Sequence, residues 1–113
     1  PSYVSGTATA MHFSGKAFNY PGWVLVSTYA DHGRGGQQWL HRKLFALELR
    51  ANPSIINIAH HHSTYAKYFT EVHASVNRDF TRILFNSNWG TASETDVDAY
   101  MVAMPVRSLV TPP

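Results

Sequence analysis

Seven histidines in a chain of 113 residues with no cysteine make imidazole the side chain best able to hold a metal or move a proton near neutral pH. Two of them have matching surroundings. His12-Phe13-Ser14 and His73-Ala74-Ser75 lie roughly 60 residues apart, and each leads into an apolar run. Glu71 stands two residues before His73, and alternation along a strand sends such a pair to the same side. Neutral imidazole with carboxylate is a donor set for Mn, Zn or Fe. Three further histidines are consecutive, His60-His61-His62, and along a strand only His60 and His62 can act together. The candidate metal ligands are therefore His12, His73, Glu71 and His62. The structural alternatives are hydrogen-bonded histidines and an ordinary ion pair of Glu71 with Lys67 or Arg78.

Other chemistry is sparse. Trp23, Trp39 and Trp89 are suited either to stacking on sugar rings or to filling a core. Asp96 and Asp98 read as loop-shaping residues, and Ser14 and Ser75 lack the Gly-x-Ser-x-Gly elbow of a nucleophile. The missing cysteines exclude disulfides, thiolate ligands and cysteine nucleophiles.

The elements that position these residues read as strands. Residues 24–29 mix β-branched and aromatic side chains on both faces, and Pro21-Gly22 just before them is a turn signal. Residues 30–38, with three glycines, read as a mobile loop. Residues 39–51 fit helix and strand alike, and comparison with 100–105 decides for strand in the later half, ended by Asn52-Pro53. Strands are then expected over 54–59, 72–76, 82–88 and 97–104, with a tight turn at 77–80 and a polar loop at 89–96. Pairs of similar segments recur at a spacing near 60 residues, which points to two units of a repeat. Four-stranded antiparallel sheets packed radially form a β-propeller, with approximate blades over 10–63 and 64–113 of a single domain.

Residues 75–88, Ser-Val-Asn-Arg-Asp-Phe-Thr-Arg-Ile-Leu-Phe-Asn-Ser-Asn, resemble the blade motif of bacterial TolB-like, WD40-like propellers, in which an aspartate-glycine type turn precedes a strand ending in Ser-Asn or Ser-Asp. Phe80 stands at that family's usual glycine. The His-x-Ser pattern is similar, more distantly, to oligogalacturonate lyases, propellers whose central funnel holds a divalent metal on histidines. That resemblance implies His73 as the final ligand of a Gln-x-x-His-x-His pattern, with Tyr68 and Glu71 at the other two positions and His12 supplied by the preceding blade. It implies a divalent metal (Mn, Zn or Ca), an oligosaccharide partner and a periplasmic or secreted setting. The candidate ligand-binding residues on that face are Trp89, His60, Asn88 and Tyr68.

Hydrophobic residues make up 44% of the chain, enough for a core, while charged residues are only 14% and the net charge is +2. With no arginine-rich run, nucleic acid is not an expected partner. The longest apolar stretches, such as 23–26, are a fraction of the ~20 residues a membrane-spanning helix needs, so no membrane partner is expected either. Pro1 in place of methionine reads as processing or as part of a longer chain, and no signal peptide is visible. Two blades alone expose apolar faces, so the expected partners are the remaining propeller blades or copies of the chain itself. A binding or scaffold domain is the expected function, with a metal-dependent polysaccharide lyase as the alternative.

Overall fold

A computed structural model describes residues 7–33, 40–64, 67–106, 108 and 109. These residues are all-β, in two antiparallel sheets. The first sheet is a four-stranded meander of β1 (Thr7–Ser14), β2 (Trp23–Gly33), β3 (Lys43–Glu48) and β4 (Ile55–His60), in the order β1-β2-β3-β4. A single 3-10 turn, Tyr68–Thr70, leads toward the second sheet. That sheet has the order β5-β6-β7, from β5 (Ser75–Val76), β6 (Arg82–Ser87) and β7 (Asp98–Ala103). The expected fourth strand of this sheet is absent among the described residues.

Turn chemistry fixes where the strands begin. Gly22 takes a left-handed φ of 87°, and its carbonyl accepts from the Leu49 amide at 2.7 Å, pinning the entry of β2 to the exit of β3. Asn52, also left-handed, turns the chain ahead of Pro53 between β3 and β4. At the turn before β6, the Asn77 side-chain oxygen accepts from the Thr81 and Arg82 amides, both at 2.9 Å. Phe80 completes that turn with a φ of 58°, the backbone a glycine takes easily, while its ring is buried in the core.

Two expected boundaries move. Residues 30–33, expected in a loop, continue β2, because β1 starts early enough to pair with them, Thr7 opposite Gly33 and Ala10 opposite Ala30. The rest of that expected loop, residues 34–38, lies outside the described residues, as does Trp39, the first residue of the segment expected next. Only Ser75–Val76 of the expected strand 72–76 joins the ladder. His73 has a φ of 46°, which breaks the extension, and the neighbouring backbone bonds elsewhere: the Val72 carbonyl accepts from the Asn86 amide and the Ala74 amide donates to the Ser27 hydroxyl.

The core lies between the sheets. Trp23, Leu25, Leu44 and Ala46 of the first sheet meet Val76, Ile83 and Phe85 of the second, with Val72, Phe80 and Leu109 closing the edges. Burying each large side chain is worth about 1.5–3 kcal/mol, so this interface is what holds the two sheets as one body. A second apolar cluster of Val26, Leu40 and Phe45 covers the opposite face of the first sheet. Trp23 is thus a core residue and not a sugar platform. Two serines brace the junction: Ser27 Oγ accepts from the Ala74 amide at 3.4 Å and Ser14 Oγ from the Val76 amide at 3.2 Å.

Candidate metal centre

The braced junction places an edge strand of each sheet beside the other, and three chemistry-bearing side chains meet there. His12 lies opposite Ser27 in the β1–β2 ladder, on the face that the first sheet turns toward the second. Its ring stacks on Tyr29 with centroids 4.8 Å apart and planes 17° apart. Glu71 follows the 3-10 turn: its amide donates to the Tyr68 carbonyl at 3.1 Å, and its own carbonyl accepts from the Asn86 side-chain amide. The left-handed His73 then swings its imidazole back toward Glu71. Strand alternation was the expected reason for Glu71 and His73 to share a side. They do meet, but through a kinked backbone.

Glu71 Oε2 is the centre of the group, accepting from His12 Nε2 at 2.8 Å and from His73 Nε2 at 3.1 Å. The two imidazoles meet edge to face with centroids 4.3 Å apart, and Tyr68 packs edge-on against His73. Glu71 is only 8% exposed, whereas His12 and His73 are 36% and 35% exposed, so the group is anchored inside and open outside. Burial, and then the neighbouring His12, hold the His73 pKa below the ordinary histidine value, with Glu71 pulling the other way. The neutral imidazole is the form that ligates a metal.

The donor set can be tested for fit to a metal. One ligand atom from each of His12, Glu71 and His73 can be chosen so that all three lie within 4.8 Å of one another. Ligands about 2.1 Å from an ion sit about 3.0–3.4 Å apart, close to the two distances from Glu71 Oε2. Two imidazoles and one carboxylate match Zn, Mn or Fe. Calcium, which takes about six to eight oxygen ligands, does not match this set. Neither expected ion pair of Glu71 forms: Lys67 pairs with Glu94 at 3.1 Å, and Arg78 lies over the Phe18 ring.

The fourth candidate ligand, His62, belongs to another cluster. It is left-handed, packs on Trp89 with centroids 4.4 Å apart, and lines a pocket with His60 and Arg42. Trp89 in turn stacks on Tyr100 at 4.8 Å, so a sugar ring would have to displace one of its two aromatic partners. Asn88 is buried and committed to tying its own loop to the segment after β4: its side-chain oxygen accepts from the Thr64 and Gly90 amides, and its nitrogen donates to Thr64 and Ser93. Tyr68 is exposed beside His73, and His60 is exposed at the end of β4.

Sequence reasoning missed His61, which is fully buried. Its Nε2 donates to the Thr28 carbonyl and its Nδ1 accepts from the Ser63 amide at 3.0 Å, fixing one neutral tautomer. Burial first, then the nearby Arg42, His62 and His60, lower its pKa to about 4, against the hydrogen bond to Thr28. Alternation within the histidine triplet sets His61 apart from its neighbours, but nothing local says that it is enclosed. No family model, curated protein or solved structure matches this chain.

Proposed function

We propose that this chain is a segment of a β-propeller that acts as a binding module and carries a divalent cation on His12, Glu71 and His73. The observation that carries this reading is the convergence of those three side chains from the edges of two sheets on one carboxylate oxygen, Glu71 Oε2. The supporting architecture is a four-stranded meander packed face to face on a three-stranded sheet, with apolar side chains left on outer faces. Calorimetric titration of chelator-treated protein with Zn²⁺ and Mn²⁺ tests it. The expected result is one ion per chain, with the affinity falling about 100-fold in Glu71→Gln while folding is retained. Absence of stoichiometric binding, or unchanged affinity in that variant and in His73→Asn, overturns it.

The half-exposure of His12 and His73 favours one second reading, a lyase acting on uronate-containing oligosaccharides. A bound cation supplies polarisation of the uronate carboxylate, which acidifies the adjacent carbon–hydrogen bond. In this reading His12, Glu71 and His73 orient the ion, and Tyr68 forms the rim beside His73. Ultraviolet absorbance from unsaturated uronate products on metal-loaded protein is the measurement. Its absence with the ion bound leaves the binding module alone.

A further inference from the structure

A strand at the border of a sheet presents a row of unpaired N–H and C=O groups, a template for a further strand. Among the described residues the two sheets end in four such borders, on β1, β4, β5 and β7. Three of them are blunted. The ladder of β1 is interrupted between Ala10 and Met11, that of β4 skips Ile58, and β5 is only two residues long. Strand β7 instead pairs with β6 in an unbroken register over six residues, with one charge, Asp98 at its first position, and no proline before Pro105. We infer that the outer edge of β7 pairs antiparallel with β7 of a second copy of this chain, about a two-fold axis at Met101.

The direction of each backbone group in β7 follows from its neighbours. The Met104 amide donates to the Thr81 carbonyl at 2.8 Å, on the β6 side. Across β6, the Arg82 carbonyl accepts from the Asn77 amide and the Asn86 amide donates to the Val72 carbonyl, so Arg82, Leu84 and Asn86 turn away from β7 while Ile83 and Phe85 turn toward it. Tyr100 and Val102, opposite Phe85 and Ile83, therefore spend their backbone groups on β6. The N–H and C=O groups of Ala99, Met101 and Ala103 point outward. Those three residues are exposed, and two of them carry only a methyl group, so the strand itself does not block an approaching partner.

The outward row is symmetric about Met101, which is what a self-complementary contact requires. With two copies antiparallel about that point, Met101 meets Met101 of the second copy and Ala99 meets its Ala103, each pair exchanging two backbone bonds. Tyr100 then stands beside Val102 of the second copy on the core side. The exposed Leu84 and Met101, opposite each other across β6 and β7, join their counterparts in one apolar row. A slip of one residue sets core-facing side chains against outward ones, which disfavours other registers. Asp98 lies opposite Met104 of the second copy, so no like charges meet. One pair of short strands buries less than the ~1,200 Å² of a standard interface, so the dimer is weak and follows concentration.

Amide hydrogen exchange on the chelator-treated full chain, at low and high protein concentration, tests the pairing, and the chelator removes bridging of copies by metal. On concentration the amides of Ala99, Met101 and Ala103 are expected to slow by about tenfold, while those of Tyr100 and Val102, already bonded to β6, stay as they are. Ala103→Pro deletes an outward donor without touching the bonds to β6 or the Leu84 and Met101 side chains, and is expected to weaken association by about tenfold. The chain has no cysteine, so single cysteines read the register. Across the axis the two Met101 Cα atoms lie about 5.5 Å apart, within disulfide reach, whereas Ala103 faces Ala99 and not its own counterpart. Oxidation of Met101→Cys to a dimer is expected to outpace that of Ala103→Cys. The proposal is overturned by edge amides whose exchange ignores concentration, by association unchanged in Ala103→Pro, which places the contact on the apolar face, or by Ala103→Cys cross-linking as fast as Met101→Cys.

Discussion

At the scale of single residues, the same amino acid does three different jobs in this chain. His12 and His73 face a buried carboxylate, His60 and His62 face solvent beside Arg42, and His61 is enclosed as a neutral hydrogen-bond bridge. The His61 pKa of about 4 makes it an acid sensor of stability. Between pH 6.5 and about 4 the unfolded chain takes up a proton that the folded chain refuses, so stability falls as pH drops through that window. His73, also lowered, adds to the loss in the same direction. At about 1.4 kcal/mol per pH unit, His61 alone accounts for about 3 kcal/mol across it. Urea unfolding at a series of pH values checks this. His61→Gln is expected to be less stable at pH 7 yet flatter with pH, and a slope equal to that of the parent chain would show that another group carries the effect.

At the scale of elements, the turn before β6 shows a local rule broken and compensated. Phe80 holds left-handed backbone, which costs about 1–2 kcal/mol for a residue with a Cβ, and offsets it by burying an aromatic ring in the core. Phe80→Gly relaxes the backbone but empties the ring's place, so a net loss of about 2–4 kcal/mol is expected in denaturant unfolding. Stability equal to or above the parent's would mean that the ring contributes nothing to packing. Strand β2 was readable because its residues suit a strand covered on both faces, and the two apolar clusters cover those faces. The extension of β2 to Gly33 was not readable, because its cause is the length of β1. The kink at His73 is likewise invisible locally, being held by Ser27 and Asn86 from other strands.

At the scale of the whole molecule, the described chain is a thin slab, 17 Å along its shortest axis, with room for two sheets about 10 Å apart and nothing more. Its outer faces keep large apolar side chains in water. Leu84 and Met101 sit opposite each other across β6 and β7 at 55% and 64% exposure, on the face turned away from the core. Exposed apolar patches of this kind mark interaction sites, so self-association through this face is the expected outcome. Sedimentation over a concentration range is expected to show self-association that Leu84→Lys with Met101→Lys abolishes without loss of fold. A monomer at every concentration contradicts it.

The sequence by itself determined the all-β class, most strand positions and the histidine-rich chemistry, because two-residue alternation, β-branched runs and turn residues act over neighbours in the chain. It also pointed to His12, Glu71 and His73 as one group. Only the tertiary structure decided that His62 stands apart from them, that Asn88 is spent on tying its loop to Thr64, and that His61 is buried. Those outcomes depend on which strand edges meet and which side chains are enclosed. The packing of one sheet on the other sets both, through contacts that no short stretch of sequence contains.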